Sequence, residues 1–180
     1  MSIAAEVDGE IVAGVVHVPL TGETFRADLS GAWLHDTPLG APARRREAEA
    51  VLLTSFPAAR HYGELGEAAT APHRQLADAF LALRDPGTGA LQLAWVAAGW
   101  ADATLGFMTN PWDIAAGALI LDRAGGRFVA LSGGEPVAAA ARADDYYGIG
   151  SGADYPTLDR VARGVSRRLP VRNAVEAADA

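Results

Sequence analysis

The chain is predicted to be a layered α/β (α+β) domain, an antiparallel β-meander followed by a mixed sheet packed with helices. Three observations predict it. β-rich runs near the start are separated by tight-turn pairs, and the segments beyond residue 51 alternate between short apolar runs and longer helical ones. One helix in the second half is apolar around most of its circumference, the mark of an element packed on all sides. With 180 residues, half of them apolar, the chain is long enough for one substantial core and short for two, so residues 1–169 are expected to form a single domain.

Ile3–Val7 and Ile11–Val18 are β-rich and joined through Asp8-Gly9, a pair that accepts the positive φ angles of a tight hairpin turn. A second turn at Thr21-Gly22 leads into Thr24–Leu29 and completes the meander. Its first strand has an open edge if no partner precedes it, and unpaired edges template aggregation. Residues 40–49, rich in Pro, Ala and Arg, read as a connection, after which Val51–Thr54 begins a more buried pattern. Pro72–Leu81 and Gly87–Ala98 are then predicted as helices, Ala103–Phe107 as a strand, Trp112–Ala124 as a helix, and Arg127–Leu131 and Tyr147–Gly150 as strands. Asp154–Leu169 closes the domain as an amphipathic helix with Leu158, Val161 and Val165 inward and its arginines outward. The Ala- and acid-rich tail, residues 170–180, is expected to fray.

The central helix sets an acid at its head, in Asn110-Pro111-Trp112-Asp113. Pro111 suits a first turn, where a missing N–H costs nothing, and Gly125 or Gly126 suits the left-handed residue that ends a helix. Ile114, Ala115, Ala118, Leu119 and Leu121 bury the helix, which leaves Asp113 at a rigid, half-buried mouth. Two readings of Asp113 stand at this point: a cap favoured by the positive end of the helix dipole, or a metal ligand. Upstream, Gly87-Thr88-Gly89 opens a helix whose unpaired N–H groups suit an anion or a hydroxyl, with an ordinary cap through Thr88 as the alternative.

Taken in order, four segments resemble the chained motifs of the C-terminal half of the inositol monophosphatase family. They are Arg84-Asp85-Pro86-Gly87-Thr88-Gly89-Ala90-Leu91, then Val96-Ala97-Ala98-Gly99 with Asp102-Ala103, then Trp112-Asp113-Ile114-Ala115-Ala116-Gly117, and finally Ala124-Gly125-Gly126. Weaker likeness runs back to Gly14-Val15-Val16 and Gly31-Ala32-Trp33-Leu34, and forward through Gly133-Gly134 towards Ser151. The resemblance implies the C-terminal part of that sugar-phosphatase fold and a Mg²⁺-dependent phosphomonoesterase of inositol, sugar or related small phosphoesters. It implies Asp113 as a Mg²⁺ ligand, with Gly87, Thr88, Gly89 and Asp113 lining the substrate pocket, and Asp102 as a support for the core. The family's Glu-Glu pair and Asp-Pro-x-Asp-Gly-Thr loop, which hold most of its metal ligands, do not occur in this sequence. The chain is therefore expected to be an incomplete, C-terminal portion of the domain, weak or inactive and with no complete catalytic set. The rival reading is a non-catalytic remnant serving as a binding or dimerisation module, since family members commonly form homodimers. Gly106 stands where animal members carry a glutamate that holds sugar hydroxyls, so the resemblance does not carry inositol specificity with it.

Composition narrows the remaining classes. A net charge of −7 argues against a nucleic-acid or anionic-membrane partner, both of which need clustered positive charge. The run Arg44-Arg45-Arg46, followed by Glu47 and Glu49, reads as a solvated loop. Cysteine is absent, which removes disulfides, thiolate metal sites and a cysteine nucleophile; every basic residue is arginine, which removes a Walker-type lysine and a Schiff base. No window approaches the roughly 18 apolar residues of a membrane helix, and a cytoplasmic location is expected. His17, His35, His61 and His73 show no metal spacing, Trp95, Trp100 and Trp112 read as packing residues, and Arg84 is expected to pair with Asp102 or another surface acid. Gly148-Ile149-Gly150-Ser151-Gly152 reads as a strand end with a turn rather than a dinucleotide loop.

Overall fold

Two sheets enclose a pair of helices in the computed structural model, which describes residues 1–42, 45–138 and 143–172. The first sheet is the meander: β1 (Ser2–Val7), β2 (Glu10–His17), β3 (Thr24–Asp28), β4 (Gly31–Leu34) and β5 (Thr37–Pro38), antiparallel and in sequential order. Asp8 and Gly9 turn the first hairpin with φ of 52° and 83°, the two left-handed residues that match the twist of the strands they join. β1 is the sheet's edge, and Ile3 and Val7 on it are exposed.

The second sheet has the order β10-β9-β11-β8-β6-β7. It comprises β6 (Val51–Thr54), β7 (Ala82–Arg84), β8 (Ala103–Gly106), β9 (Arg127–Ser132), β10 (Glu135–Pro136) and β11 (Asp145–Ile149). β6 runs parallel to β7 and β8 and the other pairs are antiparallel, so the sheet is mixed as the sequence predicts. The helices are α1 (Ala59–Leu65), α2 (Thr70–Ala79), α3 (Gly89–Ala97), α4 (Pro111–Arg123) and α5 (Pro156–Ser166). α3 and α4 lie between the sheets over a core of Phe25, Leu93, Ile114, Ile120 and Tyr146. α2 and α5 cover the opposite face of the mixed sheet over Leu52, Leu76, Leu105, Tyr147 and Leu158. The two-residue period of β11 sends Tyr146 into one core and Tyr147 into the other.

Several expectations shift. α1 and β7 were not predicted: α1 is seven residues long with Gly63 inside it, and β7 is three residues, both too short to show a period. The second helix begins at Gly89 rather than Gly87, because Gly87 has a φ of 83° that no helix accepts. The closing helix is Pro156–Ser166, shorter at both ends than predicted. Trp112 is 70% exposed, not packed, whereas Trp100 meets Phe25 edge-on at 5.6 Å and lies 6.2 Å from Trp95.

Asp102 is 3% exposed and ties the start of β8 to the start of β6 within the mixed sheet. Its Oδ2 accepts the Val51 N–H at 2.8 Å and meets the Arg45 guanidinium at 3.1 Å, while its own N–H donates to the Val51 carbonyl at 3.1 Å. Among the described residues Arg84 makes no such pair; its guanidinium donates to the Leu83 carbonyl at 2.8 Å. Arg46 pairs with Glu49 in a solvated loop, and Arg44 lies outside the described residues. The tail is held as far as Arg172, whose main-chain N–H donates to Asp144 at 3.0 Å, and residues 173–180 lie outside the described residues. No helix among the described residues is long and apolar enough to cross a membrane.

Candidate functional site

The starts of α3 and α4 meet beyond the C-terminal ends of β6 and β8, and a cleft of about 630 Å³ opens there. Gly87, Thr88, Gly89 and Asp113 all line it. The turn into α3 is built by Asp85, whose Oδ1 accepts the Gly87 N–H at 2.8 Å, and by the left-handed φ of Gly87. Thr88 is extended at the head of α3 and makes no side-chain cap bond. Gly89 permits close approach: a Cβ there would stand 3.0 Å from the Tyr146 hydroxyl and 3.2 Å from the Asp113 carbonyl oxygen. The two helix starts thus converge on one space, and their unpaired N–H groups favour negative charge in it.

Asp113 occupies the third position of α4. Its Oδ2 accepts from the Asn110 main-chain N–H at 3.3 Å and side-chain amide at 3.2 Å, which makes it a helix cap. Its Oδ1 has no hydrogen bond among the described residues. The capping reading and the site reading therefore use different oxygens of one carboxylate.

Among the further residues of the cleft that escaped the sequence reading are Arg60, Gln92, Tyr146 and Arg172. Gln92 was detectable as the lone amide in the apolar run Ala90–Ala98, since a polar group inside a buried helix needs a partner. Tyr146 is the cross-strand partner of Gly106, and a Cβ on Gly106 would stand 2.4 Å from its ring. The ring fills the space a side chain at 106 would take and stacks on Phe128 at 5.4 Å. Burial drives the Tyr146 phenol far above its ordinary range, with the Asp113 charge adding to the shift, so it stays protonated. Arg172 arrives from the end of the chain, its guanidinium donating to the Met108 carbonyl at 3.0 Å.

Behind the cleft, His61 is fully buried. Its Nδ1 accepts the Ala58 N–H at 2.8 Å, which places the ring proton on Nε2, towards the Phe107 carbonyl. Burial, helped by Arg60, lowers its pKa to about 4. The unfolded chain takes up this proton near 6.5 and the folded chain only near 4, so the group's contribution to stability is complete above 6.5 and is lost as pH falls towards 4. By NMR, one of the imidazoles is expected to stay neutral down to pH 5 and that signal to vanish in His61→Asn; a ring titrating near 6.5 in its place contradicts the burial argument.

Among the described residues, no three His, Asp or Glu side chains gather into a group able to hold a metal ion. The carboxylates of the cleft are Asp85 and Asp113, each with one oxygen already engaged. These residues do not by themselves fit a Mg²⁺ site.

The sequence profile of the inositol monophosphatase family matches residues 1–156. An inositol-1-monophosphatase of Caulobacter vibrioides is 37% identical over 134 residues, covering 73% of this chain and 52% of the relative. A Nus factor SuhB of Pasteurella multocida is 36% identical over 135 residues, covering 74% and 50%. Among solved structures, the SuhB extragenic suppressor protein of Bartonella henselae superimposes with a TM-score of 0.74 at 32% identity, over 90% of this chain and 63% of that one. The inositol monophosphatase of Anabaena (Nostoc) gives 0.78 at 25% identity, over 91% and 65%. The chain spans about half the length of the relatives it matches.

These findings overturn part of the sequence reading. The expectation of a C-terminal fragment, weak or inactive, with a non-catalytic remnant as rival, rested on the absence of two upstream motifs. The family match instead runs from residue 1 to 156, and the fold it brings extends through nine-tenths of the chain. The layered architecture is that of the structural neighbours. Nearly the whole chain is family domain, and it belongs to the inositol monophosphatase family.

Proposed function

We propose that the chain is a phosphomonoesterase of a small phosphorylated polyol or sugar, and that the cleft between the starts of α3 and α4 is its substrate site. The observation that carries this reading is the meeting of Gly87-Thr88-Gly89 with the unbonded Oδ1 of Asp113 in one concave space. The converging helix starts and the guanidiniums of Arg60 and Arg172 favour a phosphate, and Asp113 and Thr88 supply groups that orient a hydroxyl or the ester oxygen. The family resemblance implies Mg²⁺, towards which this chain offers Asp113 Oδ1. The relatives' names point to inositol 1-phosphate as the first compound to try. Calorimetric titration of the purified chain with myo-inositol 1-phosphate, paired with a phosphate-release assay in millimolar Mg²⁺, tests the reading. Saturable one-site binding and release above the uncatalysed rate are expected; neither binding nor release across a panel of polyol and sugar phosphates overturns it.

A further inference from the structure

The floor of the cleft carries a buried polar side chain whose hydrogen-bonding capacity the protein leaves half used. Gln92 is 2% exposed, sits one turn into α3 and lines the cleft. Its Oε1 accepts from the hydroxyl of Thr104, itself fully buried, at 2.9 Å, and the same hydroxyl hydrogen-bonds with the Tyr146 phenol. The Nε2 of Gln92 then has two hydrogens to give and no acceptor among the described residues. It is not sealed in either: the one enclosed side-chain polar atom lacking a partner among those residues is Trp95 Nε1. The accessible space that Gln92 borders is the cleft. Beside it stands Tyr146, 1% exposed, with its protonated hydroxyl next to Gly89 and its ring in the space that a side chain on Gly106 would take.

We infer that Gln92, flanked by Tyr146, reads a hydroxyl group of the bound phosphoester: Nε2–H donates to an oxygen of the polyol ring and so favours polyols over phosphoesters without hydroxyls. Both groups are neutral and both are donors, which suits a hydroxyl oxygen and gives the floor a different chemistry from an acidic side chain projecting from position 106. A buried donor facing a ligand that lacks the matching acceptor stays unpaired, and that penalty is the source of the selectivity. The inference rests on the proposed function, because it takes the cleft to be the phosphoester site.

The test compares two ligands that differ in their hydroxyls, myo-inositol 1-phosphate and cyclohexyl phosphate, by calorimetry on the wild type, Gln92→Met and the double variant Gln92→Met/Thr104→Val, with a thermal melt of each protein. Both variants remove the donors of Gln92 without adding a charge or a new acceptor beside the ligand. If Gln92→Met unfolds because Thr104 loses its partner, the double variant, which replaces both partners of that bond by apolar groups, carries the comparison alone. The wild type is expected to prefer the inositol phosphate by about tenfold or more, and the variants to lose most of that preference with little change for cyclohexyl phosphate. Equal weakening for both ligands, or an unchanged preference, overturns the inference and leaves the functional reading standing. Wild-type protein that binds neither ligand overturns the functional reading, and the inference with it.

Discussion

Asp113→Asn is expected to lower phosphate release by roughly a hundredfold or more while moving Tm by only a few degrees. The asymmetry follows from the division of labour between the two oxygens. Oδ2 serves α4, accepting from Asn110, and an asparagine keeps an oxygen for that cap; the residual cost is the lost charge at the helix start, about 0.5–1 kcal/mol. Asp113 lines the cleft, its Oδ1 has no partner among the described residues, and no neutral side chain restores its charge. Steady-state kinetics with a melt of the same preparation decide the matter. Unchanged turnover with a lowered Tm makes Asp113 a cap and nothing more.

The second large effect is structural. Gly106→Ala is expected to destabilise the fold by about 1–3 kcal/mol, equivalent to a Tm loss of roughly 3–10 °C for a domain of this size. The added methyl would sit 2.4 Å from Cε1 of Tyr146, a ring that is 1% exposed and stacked on Phe128, so neither partner has room to yield. Because Gly106 and Tyr146 face one another across β8 and β11, the remedy lies in the same pair. Combining Gly106→Ala with Tyr146→Val should recover part of the loss, giving a coupling of about 1 kcal/mol or more in a double-mutant cycle. Additive melts for the two substitutions contradict the packing account.

What the sequence reveals and what it hides divide along physical lines. α4 is legible because three local signals agree: Asn110-Pro111 at its start, an apolar circumference, and Gly125-Gly126 beyond its end. The first hairpin is legible through Asp8-Gly9, whose left-handed angles are a local property of that pair. Asp113 and the Gly87–Gly89 turn are legible as separate signals at two helix starts, but their shared cleft depends on how α3 packs against α4. Features that depend on distant partners escape altogether. Tyr146 acquires its place from the register of β11 against β8, Arg172 from the path of the chain after α5, and the Arg45 partner of Asp102 lies 57 positions away. α1 and β7 are too short for periodicity to register, and the buried His61 inside α1 shows no pattern of its own.

The proposed function puts a phosphorylated polyol between the starts of α3 and α4. A titration of the ¹⁵N-labelled chain with myo-inositol 1-phosphate, followed by amide NMR, tests it most directly. The account predicts saturable shifts centred on Gly87, Thr88, Gly89, Gly106 and Asp113, the residues that frame the cleft. Saturable shifts centred instead on the neighbouring groove around Phe56, His73 and Arg84, or no saturable shifts with any polyol phosphate, would contradict it.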